Sequence, residues 1–188
     1  MELVSEANVF AVKAHDGMRR KKSESPYILH PMEAAVIVGT MTDNQDVIAA
    51  AALHDVVEDA GISIEEIEER FGRRVRELVQ SETEEKRADQ PPAETWRIRK
   101  EASLAVLKST DDIGVLMVWL GDKLANMRSI HRDFKVEGAE IWQRFNQKDV
   151  AEQAWYYRSI AKLTERLQDT SAWVEYKTLT EFVFGKGV

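Results

Sequence analysis

Cysteine is absent from all 188 residues. No disulfide and no thiolate metal site can form, so a bound metal would have to take imidazole and carboxylate ligands. No apolar run approaches the length of a membrane span, and the N-terminus lacks a basic, apolar, cleavable leader pattern. These absences make a cytoplasmic location and no membrane partner the default expectation. Positive charge is outweighed: 26 Lys and Arg stand against 33 Asp and Glu, a formal net charge of -7. That balance argues against a nucleic acid polymer as partner. A small anionic ligand stays compatible with it, because a local basic cluster can act within an acidic protein. No internal repeat is visible. What remains is an ordinary globular composition, 44% hydrophobic and 31% charged, with enough chain for one domain and a sizeable core.

Gly and Pro are also missing from Ala49 to Ala60, AAAALHDVVEDA. Its alanines favour a helix. With His54 at zero on a helical wheel, Glu58 falls near 40°, Asp55 near 100° and Asp59 near 140°, while Leu53, Val56 and Val57 take roughly the 200–300° arc. One face is then core and the other a cluster of ligand-type side chains. The adjacent His54 and Asp55 can offer a nitrogen and an oxygen to one metal ion. Glu58 and Asp59 can handle protons or orient water. An isolated His-Asp pair is more often plain solvated surface, so the reading depends on ligands elsewhere.

The chain predicts an all-helical fold. A first helix spans 3–16 and ends at Gly17; His15 near its C-terminus reads as a structural, partly cationic cap. Residues 17–31 form a loop with the densest basic run, Arg19 to Lys22. Such runs are usually solvated, but guanidinium groups also bind phosphate bidentately and stack on bases. His30 stands at the mouth of a helix over 31–41, since Pro31 suits a first turn. Ser63 with Glu66 caps a helix that ends at Gly72, and another follows to Glu82. Residues 83–95 read as an exposed loop. A helix over 96–108 carries Arg97, Arg99 and Lys100 at its start, where basic residues oppose the helix dipole; a bound anion would compensate them, and a plain solvated face accounts for them equally well. In 111–130, Leu116, Leu120, Leu124 and Met127 share one face; Asp122 and Asn126 share the opposite one. Asp122 there could complete a metal site with His30, His54 and Asp55. Residues 131–145 look irregular, with His131 on the surface. A long helix over 147–168 and a C-terminal strap over 169–188 complete a single domain, 1–188.

The motifs PYILHP, HDVVED and GDKLANMRS, in that order, resemble the HD-type hydrolase domain of the RelA/SpoT family, and within it the stand-alone, Mesh-type alarmone hydrolases. The resemblance covers about residues 5–168. It implies hydrolysis of the 3′-pyrophosphate of (p)ppGpp to GDP or GTP and pyrophosphate, with Mn²⁺ as cofactor; the donor set alone also suits Fe²⁺ or Zn²⁺. It further implies that His30, His54, Asp55 and Asp122 hold the metal and that Glu58 and Asp59 are catalytic. By the same resemblance Arg20, Lys21 and Asn126 contact the nucleotide. Ser129 stands where the family has Thr, and Tyr156 or Tyr157 would supply a pocket aromatic.

The sequence departs from the family pattern at Met18, where Gln is usual, and at Trp119 to Gly121, where lysine-leucine-alanine is usual. These changes bear on substrate contacts. A related phosphohydrolase acting on another nucleotide, such as NADPH, is therefore an alternative expectation. A third is a non-enzymatic, metal-stabilised interaction module, against which the intact ligand quartet and Glu-Asp pair argue. The chain is too short for the family's synthetase half, so hydrolysis alone is expected. Homo-oligomerisation is left open.

Overall fold

The structure is a computed structural model that describes residues 1–20, 24–84 and 89–186. Among the described residues it is all-α. Helices α1 (Leu3–Ala14), α2 (Leu29–Gly39) and α3 (Gln45–Leu53) pack together, with α5 (Ile64–Glu82) against α3. Helix α7 (Ile113–Glu137) lies across α2, α3 and α5 and carries α9 (Ser171–Phe184) on its far side. Helices α6 (Pro92–Ser109) and α8 (Val150–Leu163) pair with each other. A short α4 (Val56–Ala60) follows α3. No helix among the described residues is long and apolar enough to cross a membrane.

The caps are local and legible. Asn44 Oδ1 accepts from the Asp46 and Val47 amides to start α3, and Ser63 Oγ accepts from Glu66 to start α5. Gly61 and Gly72 take positive φ, 70° and 86°, ending α4 and kinking α5. Ala49 to Ala52 are all buried, which lets neighbouring helices approach α3 closely. Leu116, Leu120, Leu124 and Met127 are buried as expected.

Several expectations need correction. The stretch Ala49–Ala60 is two helices, because the chain breaks at His54 and Asp55. His54 Nδ1 lies 2.8 Å from the Ala51 carbonyl, which a continued helix would offer to the Asp55 amide. Residues 131–137 continue α7, and 138–144 form a 3₁₀ helix. His131 is half-buried with its ring 4.7 Å from that of Phe182, because α9 covers this part of α7. The helix expected over 147–168 stops at Leu163 and gives way to a short 3₁₀ turn. Helix α6 begins at Pro92, so Arg97 to Lys100 sit more than one turn inside it. They are matched by acidic side chains rather than by the dipole: Arg97 by Glu101 and Glu152, Arg99 and Lys100 by Glu84.

Candidate active site

His30 in α2 and His54 at the end of α3 aim their Nε2 atoms at each other, 3.3 Å apart. The hydrogen bond of His54 Nδ1 to Ala51 fixes the tautomer whose Nε2 carries the free lone pair when the ring is neutral. Asp122 Oδ1, from α7, lies 2.9 Å from His30 Nε2 and 3.5 Å from His54 Nε2. Asp55 Oδ2 lies 3.0 Å from His54 Nε2 and 3.5 Å from His30 Nε2. One donor atom each from His30, His54 and Asp122 falls within 4.8 Å of the others, so these three could hold a metal ion. Asp55 approaches that trio through the two imidazoles.

Donor spacing tests the fit. Ligands about 2.1 Å from one ion stand roughly 3.0 Å apart at octahedral angles and 3.4 Å apart at tetrahedral ones. The five donor separations above, from 2.9 to 3.5 Å, cover the same range. Electrostatics agree. Burial alone would lower His54, but the Asp55 and Asp122 carboxylates outweigh it and hold the imidazole well above its ordinary value. Burial alone would raise Asp122, yet the Lys123 ammonium and both imidazoles hold it well below the usual carboxylate range. The cluster is a buried concentration of negative potential with nitrogen donors, which suits a divalent cation.

His30, Asp55 and Asp122 of the cluster form part of the wall of a cavity of about 1040 Å³, and His54 is buried behind them. Glu58, Asp59, Arg20, Asn126, Ser129, Tyr156 and Tyr157 line the same cavity. Arg20 Nη2 donates to Asn126 Oδ1 at 3.1 Å, and Asn126 Nδ2 donates to Asp122 Oδ1 at 2.7 Å, linking the basic loop to the candidate metal site. Lys21 lies outside the described residues. Tyr156 and Tyr157 are both buried. Tyr156 has its ring 5.0 Å from Lys100 Nζ, whereas the Tyr157 ring stacks on Phe184.

Four residues at the site were not singled out from the sequence. Tyr27, inside PYILHP, directs its hydroxyl to Asp59 Oδ2 at 2.6 Å and Asp55 Oδ2 at 2.9 Å. Burial and these two carboxylates push the phenol far above its ordinary value, so it stays protonated and can donate. Lys123, inside GDKLANMRS, pairs with Asp122 Oδ2 and, at 2.7 Å, with Glu82 Oε1. Burial lifts Glu82 to about 8 despite that ammonium. Glu84 accepts from Arg99, Lys100 and Ser103, and its amide reaches Glu58 Oε2 at 3.3 Å. Tyr27 and Lys123 stand inside legible motifs; Glu82 and Glu84 carry no local signal.

His15 corrects the sequence reading in another way. It is buried beside Tyr27, with ring centroids 5.0 Å apart and no hydrogen-bond partner for either ring nitrogen among the described residues. Burial pushes its pKa down despite Asp55 and Asp59. It is a neutral packing residue under the site rather than a cationic cap.

Fold and site together define a helical domain built around a buried His–Asp cluster. The chain belongs to the HD domain family, whose profile matches residues 7–150. It is 33% identical over 129 residues to the guanosine-3′,5′-bis(diphosphate) 3′-pyrophosphohydrolase of Aquifex aeolicus, an alignment covering 69% of this chain and 18% of that one. The chain spans 17–18% of the length of the curated relatives it matches. The crystal structure of lmo0812 from Listeria monocytogenes superposes with TM-score 0.73 at 27% identity, covering 84% of this chain and 99% of that one. A metazoan ortholog of SpoT, described as hydrolysing ppGpp, shares the fold with TM-score 0.74 at 24% identity, over 99% of this chain and 98% of its own. The resemblance to RelA/SpoT-type HD domains is borne out.

Proposed function

We propose that the protein is a metal-dependent (p)ppGpp 3′-pyrophosphohydrolase working with Mn²⁺. The observation that carries this reading is the convergence of His30, His54, Asp55 and Asp122 donor atoms at the wall of a cavity lined by His30, Asp55, Asp122, Glu58, Asp59 and cationic side chains. The name of the Aquifex relative supports the substrate class.

In this reading His30, His54, Asp55 and Asp122 hold the ion. Bound there, a divalent metal would polarise the phosphorus and lower the pKa of water. Glu58 and Asp59 accept the proton of the attacking water. Tyr27 orients Asp59 through its hydroxyl. The water oxygen bonds to the phosphorus on the ribose 3′ oxygen and the P–O3′ bond breaks. The 3′ oxygen takes a proton, so ppGpp yields GDP and pyrophosphate, and pppGpp yields GTP. Arg20, held by a hydrogen bond to Asn126, presents its guanidinium to the nucleotide. Lys21, Ser129 and Tyr156 are assigned to the same nucleotide pocket.

The test is turnover of ppGpp, pppGpp, ppApp and NADPH by the Mn²⁺-loaded protein, with products identified. Release of pyrophosphate from the guanosine tetraphosphate is the expected result. Release of phosphate from NADPH with ppGpp untouched would overturn the substrate assignment. No turnover of any of the four would overturn the enzymatic reading.

A further inference from the structure

Glu84 ties together more of the cavity wall than any role in the proposed chemistry requires. It follows Thr83, whose extended backbone ends α5, so its position is not set by helical hydrogen bonding. Its carboxylate points inward. Oε1 accepts from Arg99 Nη1; Oε2 accepts from Lys100 Nζ at 2.7 Å and from Ser103 Oγ at 3.3 Å. All four residues line the cavity that contains the His–Asp cluster.

The three donors make a built seat. Arg99 is nine-tenths buried. Its Nε donates to Thr95 Oγ1 at 3.1 Å and its Nη2 to the Pro92 carbonyl at 3.2 Å, leaving Nη1 for the carboxylate. A guanidinium held at two of its nitrogens loses little entropy on binding an anion. Lys100 and Ser103 stand one and four residues on, on the same helix. Two cations and a hydroxyl converging on one point is the donor set that binds a phosphoryl group. Two further cavity cations are already paired with carboxylates: Lys123 with Asp122 and Glu82, Arg144 with Asp133 and Glu137. The seat also adjoins the chemistry, since the Glu84 amide donates to Glu58 Oε2.

We propose that Arg99, Lys100 and Ser103 form a phosphoryl subsite whose internal occupant is the Glu84 carboxylate, and that a phosphoryl group of the nucleotide displaces Glu84 on binding. The proposal rests on the anionic-nucleotide reading for its natural ligand. A phosphoryl group carries more charge and more acceptor oxygens than a carboxylate, so it can use all three donors at once. Glu84 lies beyond the last turn of α5, and its side chain can leave without unwinding the helix. The carboxylate then acts as an intramolecular competitor. It keeps the buried Arg99 and the half-buried Lys100 paired in the free protein and raises the concentration of substrate needed to fill the site.

Calorimetric titration of the metal-loaded full chain with inorganic pyrophosphate tests this without needing turnover. Glu84→Gln keeps the shape and removes the charge, and it is expected to lower the pyrophosphate Kd by roughly tenfold, the scale of one lost charge-assisted contact. Glu84→Asp keeps the charge on Arg99 but cannot also reach Lys100 and Ser103, and should give a smaller gain. Lys100→Met should weaken pyrophosphate binding and cancel most of the Glu84→Gln gain in the double variant. Circular dichroism of each variant checks folding, and Glu84→Asp carries the test should Glu84→Gln unfold. Unchanged or weaker pyrophosphate binding in folded Glu84 variants overturns the proposal, making Glu84 a structural ion-pair partner. If ppGpp is hydrolysed and the Glu84 variants leave both Kd and KM unmoved, the subsite fails while the hydrolase reading stands. If the pyrophosphate gain appears without ppGpp turnover, the subsite stands and the substrate reading fails.

Discussion

Gly121 and Ala34 meet at the crossing of α7 and α2. A Cβ placed on Gly121 would lie 3.1 Å from the Ala34 carbonyl oxygen and 2.6 Å from Val38 Cγ2. That crossing carries Asp122 to His30, the next residue on one helix and one turn away on the other. Gly121→Ala should therefore cost about 1–3 kcal/mol through overpacking, despite better helix propensity. For a chain of this size the thermal midpoint should fall by roughly 2–4 °C per kcal/mol. A midpoint equal to or above the parent's would mean that the helices separate without strain.

His54→Ala and Asp55→Ala are expected to remove bound metal and hydrolysis together. Added Mn²⁺ should raise the melting temperature of the parent protein and not that of the variants, because an ion that binds only the folded state stabilises it by mass action. Elemental analysis with parallel thermal melts decides this. Full turnover by a metal-free preparation would contradict it.

Glu58→Gln and Asp59→Asn should retain metal and lose about 10²–10⁴-fold in kcat. Tyr27→Phe keeps the ring against His15 and removes the donor to Asp59. Its effect should be smaller and fall on kcat rather than KM. Loss of metal in Glu58→Gln or Asp59→Asn would mean that the division between holding the ion and moving protons is wrong.

Arg20→Ala should raise KM more than it lowers kcat, as for a contact equal in ground and transition states. Arg20→Lys should rescue only in part, because lysine lacks the planar fork that reaches Asn126. Steady-state kinetics on ppGpp at saturating Mn²⁺ provide the comparison. An unchanged KM in both variants would place the nucleotide elsewhere.

Asp112 offers a pH test away from the site. The Arg74 guanidinium, at 2.5 and 2.8 Å, and the Gly114 amide hold its carboxyl below the ordinary 3.8. A depressed carboxylate stabilises above its unfolded pKa, and that contribution disappears as pH falls through the folded value. Asp112→Ala should cost about 1 kcal/mol at neutral pH, chiefly as the lost cap of α7, since an ion pair about one-third exposed to solvent adds little. Melts from pH 7 down to about 2 should show the gap closing below about pH 4. A constant gap would remove the carboxylate's charge from the explanation.

Local chemistry made much of this protein legible from its residues. Ser63 and Gly72 mark helix ends by side-chain capping and positive φ, which depend on nearby residues alone. The all-α class follows from such signals, and the absence of cysteine limits any metal to nitrogen and oxygen donors. Tertiary packing decided the rest. The wheel that put His54, Asp55, Glu58 and Asp59 on one helical face assumed unbroken helix; the break at His54 and Asp55 re-aims them. Asp122 was placed on a polar helix face, and only the crossing of α7 over α2 puts that face in a buried cavity wall against His30. Tyr27, Glu82, Glu84 and Lys123 are ordinary residues in one dimension. Their protonation and partners come from burial beside particular charges, and burial depends on segments far apart in the chain.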